Sequence, residues 1–370
     1  MSAAIRPRAL LLLRLGLVLI SVLVALGSVE ALVRVRQWLQ TGTTGGAPYE
    51  LAPDRATGLW IPKPGQVSGP IRINRDGFRG PDVSLVKPPG TIRLAFLGGS
   101  TTFCAEVSGN DATWPDRLTQ ALRARHPGVS FDYLNAGVPG YGMGSIRTTL
   151  ERRVAPFHPD VILLYEATND MAADTRAVAA RRGLFHDLTA DPSPLAKVSV
   201  TWYLIERRMI ARRRQAAASS GIVLRYNADS LARGFEERVV GVLREARDIA
   251  PVCAVATFSH KMRRGQPPAV ALANSTYSLY YSLYQSVDGL IRCYDAYNEA
   301  LRRSARATGA VLIEGEDDIP ADDLHFADSV HFTDEGARAM AARVLRGLEE
   351  SPDFRALVAS TSGRTPPPRP

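Results

Sequence analysis

Short apolar runs recur along the chain at Ile92–Leu97, Val129–Asn135, Val161–Tyr165, Val252–Phe258 and Ala310–Ile313, and this recurrence most constrains the fold. The third is apolar throughout, which fits a strand buried on both faces better than one with a wet side. Between the runs the period changes. Trp114–Arg125 places Trp114, Leu118, Ala121 and Leu122 on one helical stripe, and Ser145–Val154 reads as a helix. Ser230–Ile249, Tyr294–Thr308 and Thr333–Leu348 read as further helices. Strands of largely apolar residues alternating with helices predict an α/β fold with a five-stranded parallel sheet covered on both sides.

The alternation is interrupted. From about residue 175 to 250 the sequence predicts a helical insert, containing a basic helix at Trp202–Gln215 with Arg207, Arg208, Arg212, Arg213 and Arg214. A solvated face is the ordinary use of such a charge run. Ser259–Gly289 reads as irregular and holds four tyrosines, Tyr277, Tyr280, Tyr281 and Tyr284, placed either to pack the insert or to stack on sugar rings. Ahead of the first strand, Ile71–Gly80 alternates and turns at Asp76-Gly77, a hairpin signal. Residues 41–70 read as a linker and 71–350 as the folded domain. Residues 351–370 read as a tail, whose Pro-rich end Ser360–Pro370 has the composition of a disordered segment.

Residues 1–40 form a separate segment. Arg6, Arg8 and Arg14 precede Leu15–Val29, which carries no charge, and extension through Glu30 to Val33 approaches the about 20 residues a spanning helix needs. A single-pass anchor is expected, with the arginines cytoplasmic and the folded domain outside, in the periplasm. The rival is a signal peptide cleaved near Ala25-Leu26-Gly27, which would release a secreted protein, and a buried core helix is the third reading.

The net charge is +8, yet no zinc spacing, recognition helix or aromatic-basic sheet motif accompanies it, so nucleic acid is not an expected partner. A membrane surface or an acidic polymer stays open. Three cysteines, Cys104, Cys253 and Cys293, cannot make a disulfide framework and read as buried thiols.

The chemistry-bearing residues fall where the strands end, the edge at which open α/β sheets bind ligands. Gly98 and Gly99 break the first strand and Ser100 follows; Gly137 follows the second; Asn169-Asp170 follows the third; Asp328 and His331 follow the fifth. Taken singly, each has a plain structural use, a turn glycine, a helix cap or a satisfied histidine. Together they supply what acyl transfer requires: a nucleophile (Ser100), a base (His331), a group orienting the base (Asp328), and oxyanion donors from the backbone of Ser100 and Gly137 and the amide of Asn169. A nucleophile elbow is excluded because position 102 is Thr, and a phosphate loop because no Gly-Lys-Ser/Thr follows. His260, Lys261, Arg263 and Arg264 follow the fourth strand, where they would face an acidic substrate or form a solvated basic loop.

Gly98-Gly99-Ser100, Gly137, Asn169-Asp170 and Asp328-x-x-His331 resemble the four blocks of the SGNH hydrolase superfamily, also called GDSL esterases and lipases. Asn74-Arg-Asp-Gly-Phe-Arg79 is similar to the lead-in of many bacterial members, and the resemblance runs from Asn74 to Leu348. Gly99 stands for the Asp of Gly-Asp-Ser, and Ala167 for the usual Gly of the third block. The resemblance implies a flavodoxin-like three-layer α/β/α sandwich and ester hydrolysis or acyl transfer without metal or cofactor. The expectation is therefore a membrane-anchored serine esterase acting on short-chain, O-acetyl-like esters of a carbohydrate or cell-envelope polymer. An O-acyltransferase of the same fold and a non-catalytic polysaccharide-binding protein are the alternatives.

Overall fold

The computed structural model describes residues 7–41, 49–184, 193–218, 223–282 and 284–362. Arg6, residues 42–48 of the expected linker and residues 363–370 of the tail lie outside them. Contacts divide the chain into two units: Met1–Tyr49 with Asp187–Arg213, and Glu50–His186 with Arg214–Pro370.

The larger unit is built on five parallel strands: β1 (Thr91–Gly98), β2 (Ser130–Asn135), β3 (Val161–Tyr165), β4 (Val252–Ala256) and β5 (Val311–Ile313). Their order is β2-β1-β3-β4-β5, the doubly wound order in which the chain reverses direction between β1 and β3. Phe96 is paired with Asn135 on one side and Leu163 on the other, so the three strands end nearly level. The expected α/β fold with a five-stranded parallel sheet is what forms.

Besides the short helical stretches Ser100–Phe103 and Met143–Thr149, the α-helices in chain order are α1 (Pro7–Thr41), α2 (Trp114–Arg125), α3 (Thr168–Arg181), α4 (Pro194–Val198), α5 (Val200–Ala218), α6 (Ala228–Ile249), α7 (Pro268–Tyr281), α8 (Val287–Thr308), α9 (Asp334–Glu350) and α10 (Pro352–Ser362). α2 and α9 pack together on one layer, and α6 and α8, with α3, on the other. α6 buries Phe235, Val239, Val242, Leu243 and Ala246, a stripe at helical spacing. Side-chain caps start these helices: Thr113 accepts from Asp116 N, Asn227 from Ser230 N, Ser286 from Gly289 N and Thr333 from Gly336 N.

Several local expectations are corrected. Ser259–Gly289 is not irregular, because α7 runs through it; its packed positions are Ala271, Ser275 and Ser278, small residues that leave no apolar periodicity to read. Ser145–Val154 is helical as expected, within Met143–Thr149, an α-helix, and a π turn at Leu150–Val154 that continues it. Residues 351–362 are not a loose tail: α10 forms and seats Phe354, fully buried, against His126. Within the stretch read as linker, Leu51–Pro53 pairs with Trp60–Pro62, and Val67–Ser68 pairs with Ile71–Arg72. The turn at Asp76-Gly77 does form, closed by an Ile73–Arg79 bridge with Gly77 at φ +79°.

The smaller unit holds α1 with α4 and α5. Leu13–Leu39 of α1 is long and apolar enough to cross a membrane. Glu30 on α1 accepts from Ser199 Oγ (2.9 Å), Val200 N (2.8 Å) and Thr201 N (3.0 Å), capping the start of α5. Arg34, one turn on, pairs with Glu30 at 2.7 Å and donates to Val198 O at 2.9 Å.

Candidate active site

Ser100 opens a single helical turn, Ser100–Phe103, at the carboxyl end of β1. A helix this short satisfies only its first carbonyl, Ser100 O, from Cys104 N (2.7 Å), and side chains from elsewhere take the following ones. Trp114 Nε1 donates to Thr101 O (3.0 Å), Asn135 Nδ2 to Thr102 O (3.0 Å), and Arg79 Nη1 to Phe103 O (2.9 Å) and to Cys104 O. Arg79 is buried and also bonds Asn110 Oδ1 at 3.0 Å. The lead-in motif is thus structural, since Asn74 Oδ1 accepts from Asp76 N and Phe78 N and so folds the loop that delivers Arg79.

The His331 loop meets this turn across the carboxyl edge. His331 Nε2 lies 2.7 Å from Ser100 Oγ, and His331 Nδ1 lies 2.7 Å from Asp328 Oδ2. Asp328 Oδ1 accepts from the backbone N–H of Val330 (2.9 Å) and His331 (3.0 Å), so the carboxylate is fixed by the loop it orients. Burial opposes charge on His331, which is 2 % exposed, but the Asp328 hydrogen bond and the nearby Glu106 carboxylate outweigh it and raise the imidazole above its usual range. Burial also pushes Asp328 upward, and its bonds to His331 and the loop backbone overcome that, leaving it below the usual carboxylate range.

Asn169 stands on the first turn of α3 beside Gly99. Its Nδ2 donates to Tyr141 O (2.9 Å) and to Glu166 Oε2 (3.2 Å), while its backbone N–H donates to Glu166 Oε1 (2.6 Å). Glu166 is fully buried, and burial raises its carboxyl to about 8. A Cβ on residue 99 would collide with Glu166 Oε2 and Asn169 Nδ2, which explains glycine where the family motif has Asp. Ala167, in place of the usual Gly, is fully buried at φ −154°, ψ −35°, so its φ is not in the left-handed region that favours glycine. Gly137 packs so tightly over the Ser100 turn that a Cβ there would lie 2.6 Å from Phe103 N. Its N–H donates to Asn135 Oδ1 at 3.1 Å, so bonding an oxyanion means sharing or exchanging that acceptor.

All five sequence-expected residues therefore gather at one edge: Ser100, His331 and Asp328 bonded in series, Asn169 beside Gly99, and Gly137 over the turn. Asp170 belongs to the scaffold, accepting from Met143 N (2.8 Å) and pairing with Arg238 (2.9 Å). Glu166 and Glu106 were not expected here, nor was contact of Arg79 with the Ser100 turn or of Tyr277 with His331. Glu106 Oε1 stands 4.0 Å from His331 Nδ1, and the Tyr277 ring meets the imidazole edge-on with centroids 5.0 Å apart. Tyr281 packs tilted against Tyr277, and Tyr280 meets Tyr281 edge-on, with ring centroids 4.9 Å apart in each pair.

The four residues after β4 are not a solvated basic loop. His260 and Lys261 are buried, and Lys261, Arg263 and Arg264 are paired with Asp323, Asp317 and Asp295. His260, Arg263 and Arg264 line a polar hollow of about 410 Å³ with Asp295 and Arg302. Cys104, Cys253 and Cys293 are buried free thiols, and burial pushes the first two up to about 12.

Residues 96–339 match the family model described as the GDSL-like lipase/acylhydrolase family, a span that includes Ser100, Gly137, Asn169, Asp328 and His331. The chain belongs to the GDSL-like lipase/acylhydrolase family. As a GDSL-like acylhydrolase it is an enzyme acting on ester bonds, and acyl esters are its substrate class. Among solved structures, it is similar to an acetylxylan esterase from Geobacillus stearothermophilus, at 16% identity over 70% of this chain and 94% of that one, with a TM-score of 0.43. It is also similar to an alpha/beta hydrolase enzyme from the metagenome of Lake Arreo, Spain, at 13% identity over 70% and 96% of the two chains, with a TM-score of 0.42. No curated protein sequence matches the chain.

Proposed function

We propose that this GDSL-like enzyme is a serine esterase whose nucleophile is Ser100. The observation that carries the reading is the bonded series Ser100 Oγ–His331 Nε2 and His331 Nδ1–Asp328 Oδ2, each link 2.7 Å. Ser100 Oγ attacks the ester carbonyl as its proton passes to His331 Nε2. The oxyanion is met by the Ser100 and Gly137 N–H groups and the Asn169 amide. Collapse of the tetrahedral species breaks the acyl–oxygen bond, and His331 returns the proton to the leaving alcohol. Water, deprotonated by the same imidazole, then releases the acid and restores Ser100. Asp328 holds the tautomer that keeps Nε2 free to accept.

The substrate we infer is a short acyl ester, O-acetyl-like, on a carbohydrate. The half-buried tyrosines 277, 280 and 281, which extend outward from the His331 imidazole, support this: aromatic faces beside a base suit sugar rings. We read α1 as a single membrane span with the catalytic domain in the periplasm, on the apolar run Leu15–Val29 and the arginines ahead of it. Release of acetate from acetylated oligosaccharides by the full chain, together with labelling of Ser100 by a fluorophosphonate, tests the assignment. Labelling that survives Ser100→Ala overturns it.

A further inference from the structure

α1 is not uniformly apolar: Glu30 interrupts it at the end of the run Leu15–Val29, with Arg34 one turn later. A carboxylate in a spanning segment calls for an explanation, since charge is costly within hydrocarbon. The structure supplies one. Glu30 gathers three donors at the entrance of α5, the backbone N–H of Val200 and Thr201 and the Ser199 hydroxyl, and Arg34 reaches back to Val198 O. This cluster of ion pair and helix cap belongs at the lipid–water boundary, where both the charges and the end of the apolar run are accommodated. On the reading of α1 as a membrane span, the start of α5 is thereby placed at that boundary.

What α5 and α4 present there is unusual for a water-facing helix pair. Leu195 and Val198 on α4, and Trp202, Ile205 and Met209 on α5, are all exposed; Val198 is the most open at 69 %. Trp202, Ile205 and Met209 fall at i, i+3 and i+7, one face of the helix. Arg208 and Arg212, also exposed, run one turn apart along the edge of that face. Trp202 keeps its polar tip engaged, donating from Nε1 to Ser193 Oγ at 3.2 Å, while its ring stays open.

We propose that α4 and α5 form an interfacial element that lies on the membrane, its Leu195–Met209 apolar face in the acyl-chain border and Arg208 and Arg212 on anionic lipid headgroups. The inference rests on the reading of α1 as a membrane span. Three observations converge on lipid rather than on a protein partner. The hydrogen-bonded contact to α1 brings the face to the boundary; the face is apolar with one aromatic of the kind that partitions into interfaces; and its border is cationic, complementary to an anionic leaflet.

The test uses the full chain reconstituted in vesicles of phosphatidylcholine, with and without phosphatidylglycerol, whose acyl chains are plain or brominated. Trp202→Phe should remove a share of the bromine-dependent loss of tryptophan emission. That share should grow with phosphatidylglycerol and shrink in the Arg208→Gln/Arg212→Gln double variant. A Trp202 contribution equal in brominated and plain vesicles overturns the proposal, and so does one that follows protein dilution instead of lipid, the sign of a second copy covering the face. Leu23→Trp in the Trp202→Phe background reports α1 separately. Quenching there without any at Trp202 defeats this inference alone, whereas no quenching at either defeats the anchor with it.

Discussion

The guanidinium of Arg79 closes the turn that carries Ser100, bonding the carbonyl of Phe103 at 2.9 Å from inside the protein. A residue of the lead-in loop therefore determines where a residue at the end of β1 can stand. Arg79→Ala takes a guanidinium donor away from the Phe103 and Cys104 carbonyls, at a cost of about 1–3 kcal/mol for each group. The expected outcome is a fall of at least that size in unfolding free energy by urea titration, with residual activity reduced more than the folded fraction. Arg79→Lys keeps the charge but not the fork, and should recover only part of either.

Ser100→Ala should reduce ester turnover by several orders of magnitude, on the order of 10⁶ where a triad acts as a unit. Stability should hardly change, because the Ser100 hydroxyl bonds His331 and caps no helix. Initial rates on p-nitrophenyl acetate and a thermal melt check both halves.

The acid side of the pH profile belongs to His331. Its imidazole must be neutral to accept the Ser100 proton, and its pKa is raised, so activity should fall as pH drops through a value above 6.5. Glu106→Gln removes one of the charges raising it and should shift that limb to lower pH with the plateau largely kept. Asp328→Asn should cut the plateau itself by about 10⁴, since the imidazole then loses its orienting acceptor.

The alkaline side belongs to Glu166. Held near 8 by burial, it is neutral at pH 7; ionised, it would both grip the Asn169 amide and oppose the oxyanion's charge. Turnover should decline as pH rises through about 8, and Glu166→Gln should abolish that decline. Stability follows the same proton. Between 4.5 and about 8 the folded protein holds a proton that the unfolded carboxyl has released, so the wild-type Tm should drift downward across that window relative to the variant.

An acceptor assay separates hydrolysis from transfer. With an acetyl ester donor and an added oligosaccharide, a hydrolase should release acetate at a rate the sugar leaves unchanged. Acetylated sugar forming at the expense of acetate would reassign the enzyme as an acyltransferase.

The sheet and the Ser100–His331–Asp328 series were legible because their signals are local: an apolar run, a break at Gly98-Gly99, two titratable residues three apart. Helix α7 was not, because Ala271, Ser275 and Ser278 pack by being small, and hydrophobic periodicity sees only what is large. Glu106 and Tyr277 were missed for a different reason. Each acts on His331 through space from an element distant in sequence, and neither stands in a motif. Glu166 lay in plain view in Tyr-Glu-Ala-Thr-Asn-Asp, yet an acidic residue at a strand end ordinarily points to water. Only the packed structure reveals that it turns inward.

That inward turn makes positions 99 and 166 tenants of one volume. While Glu166 fills it, an aspartate cannot be installed at Gly99 to match the family's usual Gly-Asp-Ser. The two substitutions should be non-additive: Gly99→Asp is damaging alone and less so once Glu166 is shortened to alanine, with the Asn169 amide still in the way of the added side chain. The motif's second letter is decided just past the neighbouring strand, by Glu166 and Asn169.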